Sequence, residues 1–222
     1  MPDEIRLLLA THTYGTVMPA FAVSLAQTTA HLTRLGITHG VMMFQDSLVD
    51  RGRDRAAAET LAAGYTHLLF IDGDVEFTPD CVTHLLKARK PVIGGALPLK
   101  DASGNFTVGF LEGPVQQCPE SKAVKVARIG AGFLMISREA LEQFAAAYPE
   151  ISYTEQGPQG TRPMRAYFEH VVRDGIRWSE DYSFCERWRA AGGDVWLSPF
   201  LEFGHWGSQV WRGSVLSKFK RV

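Results

Sequence analysis

The stretch Leu68-Leu69-Phe70-Ile71-Asp72-Gly73-Asp74 constrains this chain more than any other. Four apolar residues in a row read as a short strand buried on both faces, and such strands belong to sheets covered by helices. Carboxylates at the carboxyl end of such a strand stand in the crevice where open α/β sheets bind ligands. Two so close repel one another unless a positive charge sits between them, and a divalent cation is the simplest choice. The competing reading is plain turn chemistry, which Asp-Gly-Asp also satisfies.

The surrounding pattern supports the strand. Ile5–Ala10 reads as a first strand with Thr11-His12-Thr13-Tyr14-Gly15 as the loop beyond it. A helix is predicted from Pro19 to Leu35, closed by Gly36, and a second strand over Gly40–Phe44. Ser47 is the expected cap of the next helix, with Asp50 at the capping-box position and Gly64 as its stop. Thr78-Pro79-Asp80 opens another helix, with proline where its missing N–H does no harm. Strand then alternates with helix as far as Val92-Ile93, the pattern of an α/β fold with a mainly parallel sheet.

After Leu99 the pattern loosens. Asp101–Ala127 reads as loops with a hairpin, Gly132–Ile136 as a strand, and Ser137 as the cap of a helix to Ala147. Residues 150–178 read as a loop-rich insertion, a length that usually signals function. Ser179 then caps a helix over Glu180–Ala191, Gly192-Gly193 ends it, and Val195-Trp196-Leu197 is a short strand. The expected organisation is a single unit over 1–222: a nucleotide-binding half (1–99), an acceptor half (100–203) and a C-terminal tail (204–222).

Bulk properties narrow the function classes. The chain has 222 residues, 45% hydrophobic and 21% charged, with a formal net charge of −1. That balance gives no general attraction to nucleic acid or anionic membrane. Cys81, Cys118 and Cys185 are few, odd in number and far apart, so they suggest neither a disulfide framework nor a zinc site. No apolar run approaches a membrane span and no signal-peptide pattern opens the chain, so a cytoplasmic location is expected.

Beyond the aspartates, two further clusters invite chemistry. Glu180 and Asp181 occupy the first turn of a helix, where the dipole favours acidic groups without any catalysis; the functional reading makes one of them a general base. His205 lies between Gly204 and Gly207, which permit close backbone approach to a metal or phosphate. Arg51 and Arg55 share a helix face at i,i+4 while Arg53 points elsewhere. They are either a solvated face paired with Asp50 and Asp54, or the source of one guanidinium that forks onto a diphosphate. Trp206, Trp211 and Phe219, among Lys218, Lys220 and Arg221, read as a closing flap or a docking tail.

The order of these clusters resembles nucleotide-sugar-dependent glycosyltransferases of the GT-A fold. The matching residues are Arg51-Gly52-Arg53-Asp54-Arg55-Ala56, Tyr65 through Asp74, Pro79, and Gly130-Ala131-Gly132-Phe133-Leu134-Met135-Ile136-Ser137-Arg138. They continue with Ser179 through Arg187, Ala191-Gly192-Gly193 and His205. The resemblance implies a Rossmann-like domain with helices on both faces of its sheet. It also implies that Asp72-Gly73-Asp74 is a DxD motif. Asp74 would then bind Mn2+ or Mg2+ that bridges the donor diphosphate, with His205 as second protein ligand. Asp72 would meet the donor ribose or a metal-bound water.

Thr11 and Tyr14 would lie near the nucleobase, and Arg53 would help hold the donor. Asp181 would be the base of an inverting reaction, with Glu180 beside it. The donor would be a nucleotide-diphosphate sugar. A glycan is the first acceptor to expect, with a lipid-linked saccharide, a protein side chain or a modified nucleic-acid base also open. Two other classes compete. A haloacid-dehalogenase-like phosphatase would use Asp72 as nucleophile, and a non-catalytic nucleotide-sugar-binding protein would lack a base. A nucleotidyltransferase is disfavoured by the absence of a glycine-rich phosphate loop near the first strand.

Overall fold

A computed structural model describes residues 4–157 and 160–219. The first half alternates strand and helix as the sequence predicts: β1 (Arg6–Thr13), α1 (Pro19–Arg34), β2 (Thr38–Gln45), α2 (Val49–Ala62), β3 (His67–Ile71), the short β4 (Val75–Glu76), α3 (Pro79–Ala88) and β5 (Val92–Gly94). The second half adds β6 (Val108–Phe110), β7 (Val124–Ile129), β8 (Phe133–Ser137) and α4 (Arg138–Ala147). Next come β9 (Ser152–Gly157), β10 (Gly160–Arg165), β11 (Val171–Arg173), β12 (Ile176–Trp178) and α5 (Glu180–Ala190). The chain ends on β13 (Val195–Leu197), β14 (Phe203–Trp206) and β15 (Val210–Gly213).

Eight strands form the central sheet in the order β2-β1-β3-β8-β5-β13-β7-β6. β1 pairs in parallel with β2 and β3, and β13 with β5. The contacts of β8 with β3 and β5, and of β7 with β13 and β6, are antiparallel. Followed through these pairings, six of the eight strands share one direction and only β7 and β8 are reversed. The sheet is therefore mainly parallel in strand direction, with a reversed strand at its centre.

Side-chain alternation along the strands builds one core on each face. Leu8 and Ala10 of β1 and Leu68 and Phe70 of β3 pack with Ala56 and Ala57 of α2, Leu141 and Phe144 of α4, and Phe184 and Trp188 of α5. Their neighbours Leu7, Leu9, Leu69 and Ile71 point the other way, against Phe21 and Leu32 of α1 and Val82 and Leu85 of α3. Phe70 is thus on the α2 and α5 face, and Asp72, two residues on, continues toward that face.

Several local expectations hold. Gly36 and Gly64 follow α1 and α2 with φ of +69° and +71°, a left-handed backbone that glycine adopts without strain. Ser137 accepts a hydrogen bond from the Ala140 amide at 3.2 Å and caps α4.

Others are corrected. Ser47 does not cap α2; the helix starts after Leu48, and Asp46 accepts from the Leu48 amide at 3.0 Å in the turn before it. Residues 150–178 are not an irregular insertion but two hairpins, β9–β10 and β11–β12, which exposed polar strands without apolar alternation conceal in the sequence. The hairpin expected within 101–127 is the antiparallel pair β6–β7, which extends the central sheet and runs on to Ile129, with Val124, Val126 and Ile129 buried in the core. β14 and β15 join β4 in a separate three-stranded sheet, β15-β14-β4. Lys220 and Arg221 lie outside the described residues.

Asp54 of α2 fixes the helix to the segment before β11. Its Oδ1 accepts from the Phe168 amide at 3.1 Å, and burial pushes its pKa up to about 8 despite that bond. It pairs with no arginine among the described residues, contrary to the solvated-face reading. An unfolded aspartate titrates near ~3.9, so the folded state holds its proton more tightly. The stability Asp54 contributes is therefore complete below about pH 4 and is lost as the pH rises toward 8. Asp54→Asn keeps an acceptor for Phe168 and is expected to flatten this decline, giving a higher melting temperature than wild type at pH 8. Melting curves across pH 4–9 check this; identical slopes would contradict it.

Candidate active site

Asp72-Gly73-Asp74 forms the turn between β3 and β4. The Asp72 amide donates to the Gly132 carbonyl at 3.0 Å, and the Asp72 carbonyl accepts from Val75 at 3.1 Å. A Cβ at Gly73 would lie 2.9 Å from Val17 Cγ1, so the turn has no room for a side chain there. The two aspartates diverge and acquire different partners.

Asp72 meets Arg53. This arginine is 4% exposed and lies between the rings of Phe70 and Phe168, 5.9 Å from each centroid. One nitrogen donates to Glu180 Oε1 and the other lies 3.4 Å from Asp72 Oδ1. Burial opposes its charge, but Asp72, Glu180 and Asp181 outweigh burial and raise its pKa. Burial likewise pushes Glu180 upward, against the pull of Arg53 and with Asp181 adding to the rise. His170 Nε2 lies 3.4 Å from the other Glu180 oxygen. Glu180 is thus a partner of buried Arg53, while Arg53 braces β3, α2 and α5 together. Arg51 and Arg55 turn away to Asp46, whose pKa they and the Leu48 amide lower to about 2.

Asp74 faces the tail hairpin. Its Oδ2 is bound by Lys100, and its Oδ1 is buried without a hydrogen-bond partner among the described residues, 3.7 Å from His205 Nε2. His205 Nδ1 lies 2.7 Å from the Pro98 carbonyl. A carbonyl only accepts, so Nδ1 carries a proton and Nε2 is the ring nitrogen that faces Asp74. A second bond of this kind orients metal-ligating histidines. A gap of 3.7 Å is too long for a hydrogen bond, yet wide enough for an ion at about 2.1 Å from each atom. Asp74 and His205 therefore offer two ligand atoms at a spacing that a divalent cation can bridge, with Lys100 on the other Asp74 oxygen. Among the described residues no three His, Cys, Asp or Glu side chains converge on one point, so the remaining ligands of such an ion would come from elsewhere.

β14 brings His205 here through register. It pairs with β4 so that His205 stands opposite Val75, and the Trp206 amide donates to the Asp74 carbonyl at 2.9 Å. Glu76 anchors the hairpin by accepting from Trp206 Nε1 at 2.8 Å and Arg212 at 2.7 Å. Trp206 is a brace and not a flap. Phe219 sets its ring edge-on to Phe110 at 5.8 Å.

Asp181 stands at the start of α5. Its Oδ1 accepts from Ser179 Oγ and from the Tyr182 amide at 2.8 Å, and its Oδ2 from the Ala131 amide at 3.2 Å. Ser179 is the N-cap residue as expected, although its hydroxyl serves Asp181 rather than the helix amides. The segment Gly130-Ala131-Gly132 thus touches both Asp181 and Asp72.

A cleft of about 430 Å³ opens over Arg53, Asp72, Gly73 and Asp74, with His12 and Tyr14 on its other wall. Tyr14 is 73% exposed at the lip, edge-on to His12 at 5.2 Å. Thr11 belongs to β1 rather than to the following loop and is 1% exposed. The strand runs three residues further than its apolar core predicts, because β2 supplies ladder partners as far as Thr13. Lys100, His170 and Asp46 were not singled out by sequence reasoning. Each is an isolated residue in an aperiodic segment, and no local pattern marks it.

No protein-family model matches this chain, and no curated protein matches it in sequence. Among solved structures it is similar to A197 from STIV, at 18% identity and a TM-score of 0.56, over 95% of this chain and 91% of that one. The likeness is one of fold. It is also similar to a Drosophila β-1,4-galactosyltransferase 7 in complex with manganese, UDP-Gal and xylobiose, at 15% identity and a TM-score of 0.41, over 87% of this chain and 64% of that one. A UDP-glucose pyrophosphorylase complexed with UDP-glucose stands at 9% identity and a TM-score of 0.45, over 94% and 92%.

Removing Arg53 leaves Glu180 buried without its counter-charge. Arg53→Met is expected to cost about 3–5 kcal/mol, the usual penalty for breaking one side of a buried pair. Arg53→Met with Glu180→Gln should recover much of the loss. Urea unfolding of both variants checks this, and a loss below about 1 kcal/mol for the single variant would show the pair to be dispensable.

Proposed function

We propose that this protein is a metal-dependent glycosyltransferase that moves a sugar from a nucleotide-diphosphate sugar to an acceptor hydroxyl, with inversion. The observation that carries this reading is Asp74: a buried carboxylate oxygen, unpartnered among the described residues, facing an imidazole nitrogen that the Pro98 carbonyl orients. The order of motifs in the sequence and an α/β fold with the site at the end of β3 support it.

Asp74 and His205 would hold Mn2+ or Mg2+, and two protein ligands leave room for diphosphate oxygens. The ion, when bound, supplies Lewis-acid stabilisation of charge on the departing diphosphate. Asp72, turned to Arg53, is placed for a donor ribose or a metal-bound water rather than as a principal ligand. Arg53 holds Asp72 in that position and does not itself reach into solvent. Tyr14, exposed at the lip, offers a ring to the nucleobase, with His12 behind it; Thr11 lies beneath, packed near Gly73.

Asp181 takes the proton of the acceptor hydroxyl as its oxygen bonds to the anomeric carbon. The carbon–oxygen bond to the diphosphate breaks and its electron pair leaves with phosphate. Three donors fix the Asp181 carboxylate, which suits a base that must meet its proton in one geometry. Glu180, committed to Arg53 and His170, positions and does not abstract. The phosphatase alternative needs Asp72 as a free nucleophile, whereas Asp72 is oriented by Arg53.

Asp181→Asn is expected to lower turnover by about 10²–10⁴-fold while leaving donor binding intact. Full turnover in that variant would remove Asp181 as the base. Asp74→Ala should abolish the manganese-dependent part of nucleoside-diphosphate binding in calorimetry. Unchanged binding would refute the metal assignment. A thermal-shift screen of nucleotide sugars with and without manganese identifies the donor, because a bound ligand stabilises the fold by mass action.

A further inference from the structure

Lys100 binds Asp74 Oδ2, leaving Oδ1 to face His205. Its backbone is rooted in a turn closed by the Leu99 amide donating to the Asn105 carbonyl at 2.8 Å. Pro98, whose carbonyl orients His205, bridges to Phe106 in the same turn. The Lys100 stem runs over Gly207, where a Cβ would come within 3.3 Å of Lys100 Cδ. One short segment therefore sets both the histidine that faces Asp74 and the ammonium that neutralises it.

We infer that Lys100 makes metal binding conditional on the diphosphate: it neutralises Asp74 while the cleft holds no donor, and turns onto phosphate oxygens when metal and diphosphate arrive together. The inference rests on the metal-site reading above. The Lys100 ammonium, paired with Asp74 Oδ2, cancels the one negative charge that Asp74 carries. A divalent ion entering alone thus meets a site whose formal charge is already cancelled, and it is repelled by the ammonium on the neighbouring carboxylate oxygen. A diphosphate brings the missing negative charge. It also gives the ammonium a second acceptor, and a four-carbon stem lets Nζ move there without moving the turn. By linkage, whatever favours the metal when diphosphate is present favours diphosphate when metal is present by the same factor.

The test uses the full chain, manganese chloride and inorganic pyrophosphate, a probe independent of the nucleobase. Calorimetry measures manganese alone, pyrophosphate alone with a chelator present, and manganese in the presence of pyrophosphate. In Lys100→Met, manganese alone is expected to bind about 5-fold tighter or more, and metal-free pyrophosphate about 5-fold weaker or more. Lys100→Arg, which keeps the charge, should behave as wild type. The side chain is one-third exposed, so these variants are expected to fold, and melting curves confirm it.

Manganese affinity that is unchanged or weaker in Lys100→Met overturns the inference. So does wild-type protein whose manganese affinity is no higher with pyrophosphate present than without it. Asp74→Ala separates the two levels. If it loses manganese while Lys100→Met changes nothing, only the role of Lys100 fails. If Asp74→Ala binds manganese as wild type does, the metal site itself fails.

Discussion

The buried guanidinium of Arg53 is the interaction on which the site depends. It comes from α2, is enclosed by Phe70 of β3 and by Phe168, and meets carboxylates from the end of β3 and the start of α5. Taking an arginine out of water costs several kcal/mol, so such a group persists only where opposite charges surround it. Here they do, and the consequence is positional: Asp72 and the α5 N-terminus cannot shift independently. Asp181, next to Glu180 on that helix, inherits its place from the same contact.

A second constraint runs through backbone. The tail hairpin β14–β15 is stitched to β4 by strand pairing and by Glu76, and this alone brings residue 205 beside residue 74. The Pro98 carbonyl then selects the imidazole nitrogen that faces Asp74. The two constraints pull the adjacent aspartates apart, Asp72 toward a permanent cation in the core and Asp74 toward a partly exposed lysine and a histidine. One carboxylate is held by a buried guanidinium and the other by a partly exposed ammonium.

Much of this was legible from residues alone. The apolar run 68–71 is a central strand, the alternation through residue 93 is the first half of the sheet, and Arg53 does point away from Arg51 and Arg55. Helix boundaries marked by glycine or proline fell within a residue or two, because those signals act through local backbone geometry. The two hairpins between 152 and 178 were illegible, since their strands are largely exposed and bury no alternating face. The reversal of β8 was equally hidden. Phe133–Ile136 is apolar on both faces whichever way its neighbours run, and pairing direction leaves no trace in such a strand.

The same boundary divides the site. Residue chemistry and strand periodicity were enough to nominate Asp72, Asp74, Glu180, Asp181 and His205, because acidic groups at strand and helix ends have few places to go. Their partners were decided only by tertiary packing. Lys100 on Asp74, Glu180 on Arg53, Ala131 on Asp181 and Pro98 on His205 are pairings across 26 to 127 residues of chain. Local sequence carries no record of them, since a hydrogen bond depends on where the fold brings two groups and not on how far apart they stand along the backbone. Asp-Gly-Asp by itself allowed both a turn and a metal site; the structure shows it to be a turn whose second aspartate has one oxygen left open.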